Sequence, residues 1–367
     1  MAIVSATTGI SRKNWPIQYL GAPLFTGAPK AAYFKALIDK IRKRIADWKC
    51  KNLSKGGKIV LLQAVLCYIP IYLLSVIKPP TSVLRRIESI FANFLWGATE
   101  EGHKHHWISW QSLCSTLEEG GIGISSLAEV CAAARLKLLW MLHTKHNLWT
   151  NYFKCRYFKE ASVSQVHLSR ASSSQWKSLY NYRDLFIASS RWIVGQGNLS
   201  FWYDNWTGQG RLWDLLNEDE RNGIENDDLM LNEVLSCEGN WNDSAIALNL
   251  PANIKDILLA LPIRLQEQQD KLIWIHSNDG DFTTSSAKIF IKRSRHHSFP
   301  FEKLWHKLIP KKISFFLRCA LVNRIPTDSE VQKMGICLTS ACNCCEERQC
   351  ETPDHILLHS TDSVELF

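Results

Sequence analysis

The chain has 367 residues, is 46% hydrophobic, and sets 43 Lys plus Arg against 35 Asp plus Glu for a formal charge of +8. That apolar content excludes a disordered chain, and the length gives room for two or three domains with proper cores. The modest basic excess is compatible with a phosphate-bearing partner but is common among plain soluble proteins.

The N-terminus "MAIVSATTGISRKNW" lacks an apolar stretch and a small-residue cleavage site, so an intracellular location, nucleus or cytoplasm and not secreted, is expected. An extended lead-in is expected at Tyr19 to Phe25. From Ala31 to Trp48, Phe34, Leu37, Ile38, Ile41, Ile45 and Trp48 recur at helical spacing with cations between them, which predicts an amphipathic basic helix. Between Lys35 and Lys58 nine basic residues meet only Asp39 and Asp47, so a partner there is anionic. Ile59 to Ile77 has the length of a bilayer span, but Gln63 and Pro70 favour two packed core helices meeting near the proline. A third helix is predicted from about Ser82 to Trp96, closed by Gly97.

The middle of the chain mixes signals. "EEGGIGISSL" reads as a glycine-rich turn before a helix from Ala128 to His143, and the Ser-rich stretch Ala161 to Gln175 reads as a surface loop. Alternation around Gly195 and Gly197 predicts a hairpin over Ile193 to Trp206; two glycines without a following lysine are too little for a phosphate loop. A helix is expected from Ile254 to Leu261. Asp279-Gly280 signals a second hairpin, with Ser285-Ser286 capping the next helix. A final helix is expected from Trp305 to Ala320. The tryptophans Trp96, Trp107, Trp110, Trp140, Trp202 and Trp206 sit in apolar or hairpin contexts and read as packing residues. His103, His105 and His106 have no thiol or carboxylate at ligand spacing and read as loop.

Of the twelve cysteines, seven are scattered singly and five fall between Cys337 and Cys350. Cys342 and Cys345 form a C-x2-C pair, and His355 and His359 follow with three residues between them. A tight knuckle presents two thiolates and a helical turn two imidazoles, a donor set suited to tetrahedral Zn(II). Cys344 is an alternative to Cys345, Cys350 to either histidine, and Cys337 lies just upstream. With four protein ligands the Zn(II) is structural, contributing folding energy and leaving no open position for water.

The blocks "QYLGAPLFTG", "RIADWKCKNLSKGGKIVLLQAVL", "IPIYLLS", "IFANFLWG", "HWISWQSLC", "EEGGIGISSL", "LSFWYDNW", "DGDFTTSSA", "LWHKLIPKKISFFLR" and "CNCCEERQCETPDHILLH", in that order, resemble the region downstream of the palm in plant LINE-type (non-LTR) retrotransposon reverse transcriptases. The resemblance runs from about Tyr19 to His359, and its last two blocks resemble the reverse-transcriptase zinc-binding domain. It implies a mainly α fold with small β elements (α+β). A lead-in segment (1–18) would precede a helical post-palm, thumb-like region (19–160), a mixed α+β connection with hairpins (161–300) and a zinc-binding domain (301–367).

The chain departs from the family in two ways. Reverse transcription needs carboxylates around two Mg(II) ions, which the family supplies in an aromatic-x-Asp-Asp turn; here the one Asp pair, Asp227-Asp228, lies in a polar loop. The family's palm would precede residue 1 and its ribonuclease H domain would follow Phe367, so no polymerase activity is expected. The family pattern also continues past the second histidine to a cysteine where this chain has Ser360, leaving His359 or Cys350 to complete the tetrahedron.

The reading is a non-catalytic module that binds RNA or DNA through Lys40, Arg42, Lys43, Arg44, Lys49, Lys51, Lys55 and Lys58, with no membrane and no small-molecule substrate. Trp48 is assigned to core packing in preference to base stacking. A zinc knuckle docking a partner protein, together with the "PKKISFF" helix, is the alternative; a non-functional retrotransposon relic is another.

Overall fold

The computed structural model describes residues 15–49, 53–97, 104–158, 163, 165–166, 168–224, 226–236, 238–242, 250–292, 301–343, 345 and 348–359. The fold is mainly α with small β elements, in two compact units: residues 1–130 with 292–367, and residues 131–291.

The first unit opens with a hairpin, β1 (Ile17–Tyr19) against antiparallel β2 (Ala22–Leu24). The expected single extended segment therefore folds back on itself, turning at Leu20 and Gly21. Helix α1 (Lys35–Lys49) follows a single 3-10 turn. Phe34, Ile38, Ile41 and Ile45 are buried on one face, as the apolar spacing predicts. Ser54 then caps α2 (Lys55–Leu61) by accepting from Gly57 N. Gly56 and Gly57 thus lie inside a helix.

The apolar block does divide at the proline. A π-helical turn, Leu62–Leu66, ends α2, and Pro70 caps α3 (Ile71–Val76). Among the described residues no helix is long and apolar enough to cross a membrane. Helix α4 (Thr81–Trp96) buries Val83, Leu84, Ile87, Phe91 and Leu95 and ends at Gly97, whose φ of 79° closes the helix as expected. Both α1 and α2 pack on α4. After the short α5 (Trp110–Leu113), helix α6 (Leu127–Thr144) matches its predicted span within a residue at each end.

The second unit is built around two aromatic-rich cores. One gathers Leu136, Leu139 and Leu142 of α6 with Trp176, Phe186 and Trp274. Their supports are α7 (Leu148–Phe153), α8 (Ser174–Tyr180) and α9 (Arg183–Ala188). The other core gathers Phe201, Trp202, Trp206, Leu231 and Ile254. Packing is thus the role of Trp202 and Trp206, both almost fully buried.

Neither hairpin forms as the sequence suggested. Strand β3 (Ser190–Ile193) pairs with the distant strand that opens at Lys271. The chain after it wraps a carboxylate: Gly195, Gly197 and Asn198 donate their backbone N–H groups to Asp270 at 2.7–2.9 Å. The glycine pair is an anion nest filled from within the chain. Downstream, Asn205 fixes the coil by donating to the carbonyls of Ile187 and Ser190. Helix α10 (Ala252–Ala260) precedes β4 (Lys271–Trp274). The Asp279-Gly280 turn exists, with Trp274 N donating to Gly280 O at 2.7 Å, but no return strand follows. Thr283 instead caps α11 (Thr284–Ile291) by accepting from Ser286 N, so Ser286 answers the cap and does not supply it.

The chain returns to the first unit through a 3-10 turn, Phe301–Trp305, and the break at Pro310 divides the single helix expected there. Helix α12 (Lys311–Leu321) packs against α2. A Cβ built on Gly56 would stand 2.8 Å from Lys312 N, so the two helix backbones meet closer than any other side chain permits. Arg318, buried, ties the contact to the glycine-rich turn by donating to Gly120 O at 2.7 Å and Ser112 Oγ at 2.9 Å. Helix α13 (Asp328–Gln332) follows, with buried Glu330 holding Lys333 at 2.5 Å and Arg324 at 3.5 Å.

Two outcomes follow for stability. Gly56→Ala should lower the unfolding free energy of the full chain by about 1–3 kcal/mol through overpacking. At Gly57 an added Cβ meets nothing closer than 3.6 Å, and Gly57→Ala should be neutral or stabilising by about 0.5–1 kcal/mol. Denaturant titration of both variants checks the contrast. In the second unit, burial, with a smaller contribution from Lys154, pushes His143 down from 6.5 to about 4. Between those pH values the unfolded chain binds a proton that the folded one refuses, so stability is lost as pH falls through the window, by up to about 3 kcal/mol. The wild-type minus His143→Phe difference in unfolding free energy, measured at pH 7 and pH 4.5, should show that loss.

Candidate metal centre and basic helix

The terminal segment folds around its cysteines. Cys342 N donates to Gln349 O at 2.7 Å, closing the loop that carries Cys345, and Arg348 turns that loop at a φ of 45°. Ser340 Oγ accepts from Glu351 N at 2.8 Å. Asp328 N and Ser329 N donate to Glu351, which anchors the knuckle to α13. Thr352 Oγ1 accepts from His355 N at the start of a π-helical turn, His355–His359. These contacts bring Cys342, Cys345 and His355 together: their ligand atoms lie within 4.8 Å of one another, Cys342 and His355 are buried, and Cys345 Sγ stands 3.3 Å from His355 Nε2.

Bonds of about 2.0–2.3 Å place neighbouring ligands of a tetrahedral ion roughly 3.3–3.8 Å apart; the Cys345–His355 separation matches this, and Cys342 adds the second thiol of a zinc-type donor set. Among the described residues these three form the group. His359 is exposed and stands outside it. Cys337 is exposed, and Cys350 is exposed with its thiol against Ser340 Oγ at 3.3 Å. Cys344 and Ser360 lie outside the described residues.

The basic residues divide into two settings. Lys40, Arg42, Lys43 and Arg44 are exposed on α1. Trp48, half-buried, turns toward Phe94 at a centroid distance of 6.2 Å, with the Arg44 guanidinium 5.5 Å over its ring. Lys49 ends the helix, and Lys51 lies outside the described residues. Lys55 and Lys58 instead rest on aromatic faces: Lys55 Nζ is 4.2 Å over Trp96, and Lys58 Nζ is 5.8 Å over Phe94. Burial pushes both down from 10.5; Lys58 and Lys104 add repulsion on Lys55, and Lys104 adds it on Lys58.

Lys104 is a member of this group that sequence reasoning passed over, because "GHKHHW" drew attention to its histidines. The carboxylates of Asp227 and Asp228 are engaged locally, Asp227 accepting from Tyr203 Oη at 3.2 Å and Asp228 from Gln165 Nε2.

Residues 282–366 match the family model described as zinc-binding in reverse transcriptase. The matched span contains all three clustered ligands. Comparison with curated proteins gives an Arabidopsis thaliana protein named "Putative ribonuclease H protein At1g65750", 28% identical over 324 residues, covering 85% of this chain and 52% of that protein. A second Arabidopsis thaliana protein, named "Uncharacterized mitochondrial protein AtMg00310", is 26% identical over 141 residues, 38% of this chain and 92% of that protein. These matches support a reverse-transcriptase-related family. The chain spans about half the length of the first of these relatives.

One metal per chain is the expected outcome of native mass spectrometry on protein purified without added metal. Cys342→Ser, Cys345→Ser and His355→Ala should each abolish it, and chelation of the wild type should lower its thermal stability.

Proposed function

We propose that the chain acts as a non-catalytic nucleic-acid-binding module, the counterpart of the post-palm region and zinc-binding domain of a plant LINE-type reverse transcriptase. The observation that carries this reading is the Cys342, Cys345 and His355 cluster lying inside the segment matched to the reverse-transcriptase zinc-binding family. Both curated relatives come from a plant, which supports the plant assignment. The ion is zinc in a structural role: it holds a polar loop that has little apolar surface to bury, with Cys342, Cys345 and His355 as three of its ligands. The absence of an aromatic-x-Asp-Asp turn from the sequence supports a chain without polymerase activity of its own.

RNA or DNA is the partner, inside the cell. Lys40, Arg42, Lys43 and Arg44 meet backbone phosphates, releasing counterions as they do so. Lys49 and Lys51 extend the same run in sequence. Lys55 and Lys58, partly desolvated and mutually repelled, gain most from an arriving phosphate, which relieves the repulsion between them.

A second reading, docking of a protein partner on the zinc-bearing segment, is favoured by Ile313 and Phe316, apolar residues of α12 that remain about half exposed (48% and 49%). Capture of a partner unchanged by nuclease treatment would support it.

Affinity of the purified chain for single-stranded RNA should fall steeply with salt. Replacing Arg42, Lys43 and Arg44 together by Gln should reduce the slope of log affinity against log salt by about 2, at about 0.7 for each phosphate no longer neutralised. Salt-independent binding, or none at low ionic strength, would overturn the nucleic-acid reading.

A further inference from the structure

Three lysines gather at the C-terminal end of α4, within the first unit. Lys55 and Lys58 stand one turn apart on α2 and both reach this end. Lys55 Nζ is 4.2 Å over the Trp96 ring, and Lys58 Nζ would lie 3.1 Å from a Cβ built on Gly97. The chain at 104–106 reaches the same place, because the His106 ring stacks on Trp96 at 6.3 Å with planes 21° apart. Two residues before it, Lys104 repels both Lys55 and Lys58. The Phe315 ring of α12, 5.7 Å from Trp96, backs the group from beneath.

No placed side chain balances this charge. Among the described residues no carboxylate pairs with Lys55, Lys58 or Lys104. The group that favours the charge on Lys55 is the Cys319 thiol, which burial pushes up to about 11, so it is itself uncharged at neutral pH. The end of α4 offers about half a negative charge through the helix dipole. Set against three cations, that leaves an excess of roughly two and a half charges at one spot.

The size of the excess selects the ligand. A phosphodiester inside a strand carries a single negative charge, whereas a phosphate monoester carries about 1.5–2 and presents three acceptor oxygens, one for each ammonium group. Lys55 and Lys104 are exposed and Lys58 is half-buried, so the group is open to solvent, while Trp96 and Phe315 are buried. Those rings hold the cations and offer no face on which a base could stack. The lysines therefore read charge and not base identity, and partial desolvation of Lys55 and Lys58 strengthens what they read.

We propose that Lys55, Lys58 and Lys104 form a seat for a phosphate monoester, the terminal phosphate of a nucleic-acid strand, and so distinguish a phosphorylated strand end from the interior of the strand. This rests on the reading that the chain binds RNA or DNA, and adds a second kind of contact to it. The cations of α1 meet phosphates along the strand, and this seat recognises where the strand ends. Lys55 and Lys58 also stabilise the fold as cations over rings, a role that needs no ligand. Lys104 makes no ring contact, hydrogen bond or ion pair among the described residues, so its replacement separates recognition from stability.

The test compares short single-stranded RNAs of one sequence, carrying a 5′-phosphate, a 3′-phosphate or hydroxyl groups at both ends, by fluorescence anisotropy with the full chain. One phosphorylated strand should bind about tenfold tighter than the hydroxyl strand, the gain expected of charge-assisted hydrogen bonds to one added group. Which of the two does so identifies the end that is seated. Lys104→Gln should bring the phosphorylated and hydroxyl strands to within about twofold of each other, with the thermal midpoint unchanged. Lys55→Gln should do the same to the affinities while lowering the midpoint.

Equal affinity for all three strands, or an end preference that survives both substitutions, would overturn the proposal and leave the lysines with a structural role alone. Replacing Arg42, Lys43 and Arg44 together by Gln should weaken every strand alike and keep the ratio between them. Failure of the seat thus shows as a lost ratio with binding intact, and failure of the nucleic-acid reading as no binding by any strand, which would overturn both.

Discussion

The backbone contact between Gly56 and Lys312 is the constraint on which the first unit depends. It joins a helix from the start of the chain to one near its end, and it leaves no room for a side chain at the crossing. Around it the other commitments follow. Lys55 lies over Trp96 and within 5.8 Å of the Phe315 ring, while Arg318 draws the glycine-rich turn against α12. The segment that bears the metal ligands continues directly from this helix, so the knuckle is attached to a core already assembled from distant sequence.

Much of this was legible in the residues. The apolar rows of α1 and α4, the proline division after Leu66 and the glycine stop at Gly97 each rest on local physics that tertiary structure did not override. The existence of a Cys and His cluster was also legible, because ligand spacing is a local property. Which residues close the coordination is set by how the final turn winds, and there the structure gathers Cys342, Cys345 and His355 while leaving His359 exposed. Both expected hairpins failed for one reason: alternation and turn residues name a strand but not its partner. Strand β3 found β4, more than seventy residues away, and Asp270, also remote in sequence, took the nest that Gly195 and Gly197 make. Non-local partners of this kind leave no mark within a short window.

The cations show the same division between sequence and environment. Nine basic residues in one stretch look alike on paper. In the fold Lys40, Arg42 and Lys43 are solvated charges on α1, and Arg44, also exposed, lies over the Trp48 ring. Lys55 and Lys58 are cations held over aromatic rings and partly stripped of water. The first kind acts at a distance and is screened by salt, whereas the second acts at contact and is much less so. A single charge count cannot distinguish them, and any surface that uses both will answer to ionic strength in two regimes.

The division of the first unit between residues 1–130 and 292–367 bears on the order in which the chain is made. During synthesis α1 to α4 emerge long before α12, and the whole of the second unit is translated in between. The face of α2 that awaits α12 therefore stays uncovered while an independent body folds downstream of it. A nascent chain in that condition exposes apolar surface for tens of seconds at ordinary elongation rates of about 5–20 residues per second, a window in which chaperones or aggregation compete for it. Topology thus makes the first-made portion of this unit wait on the portion made last.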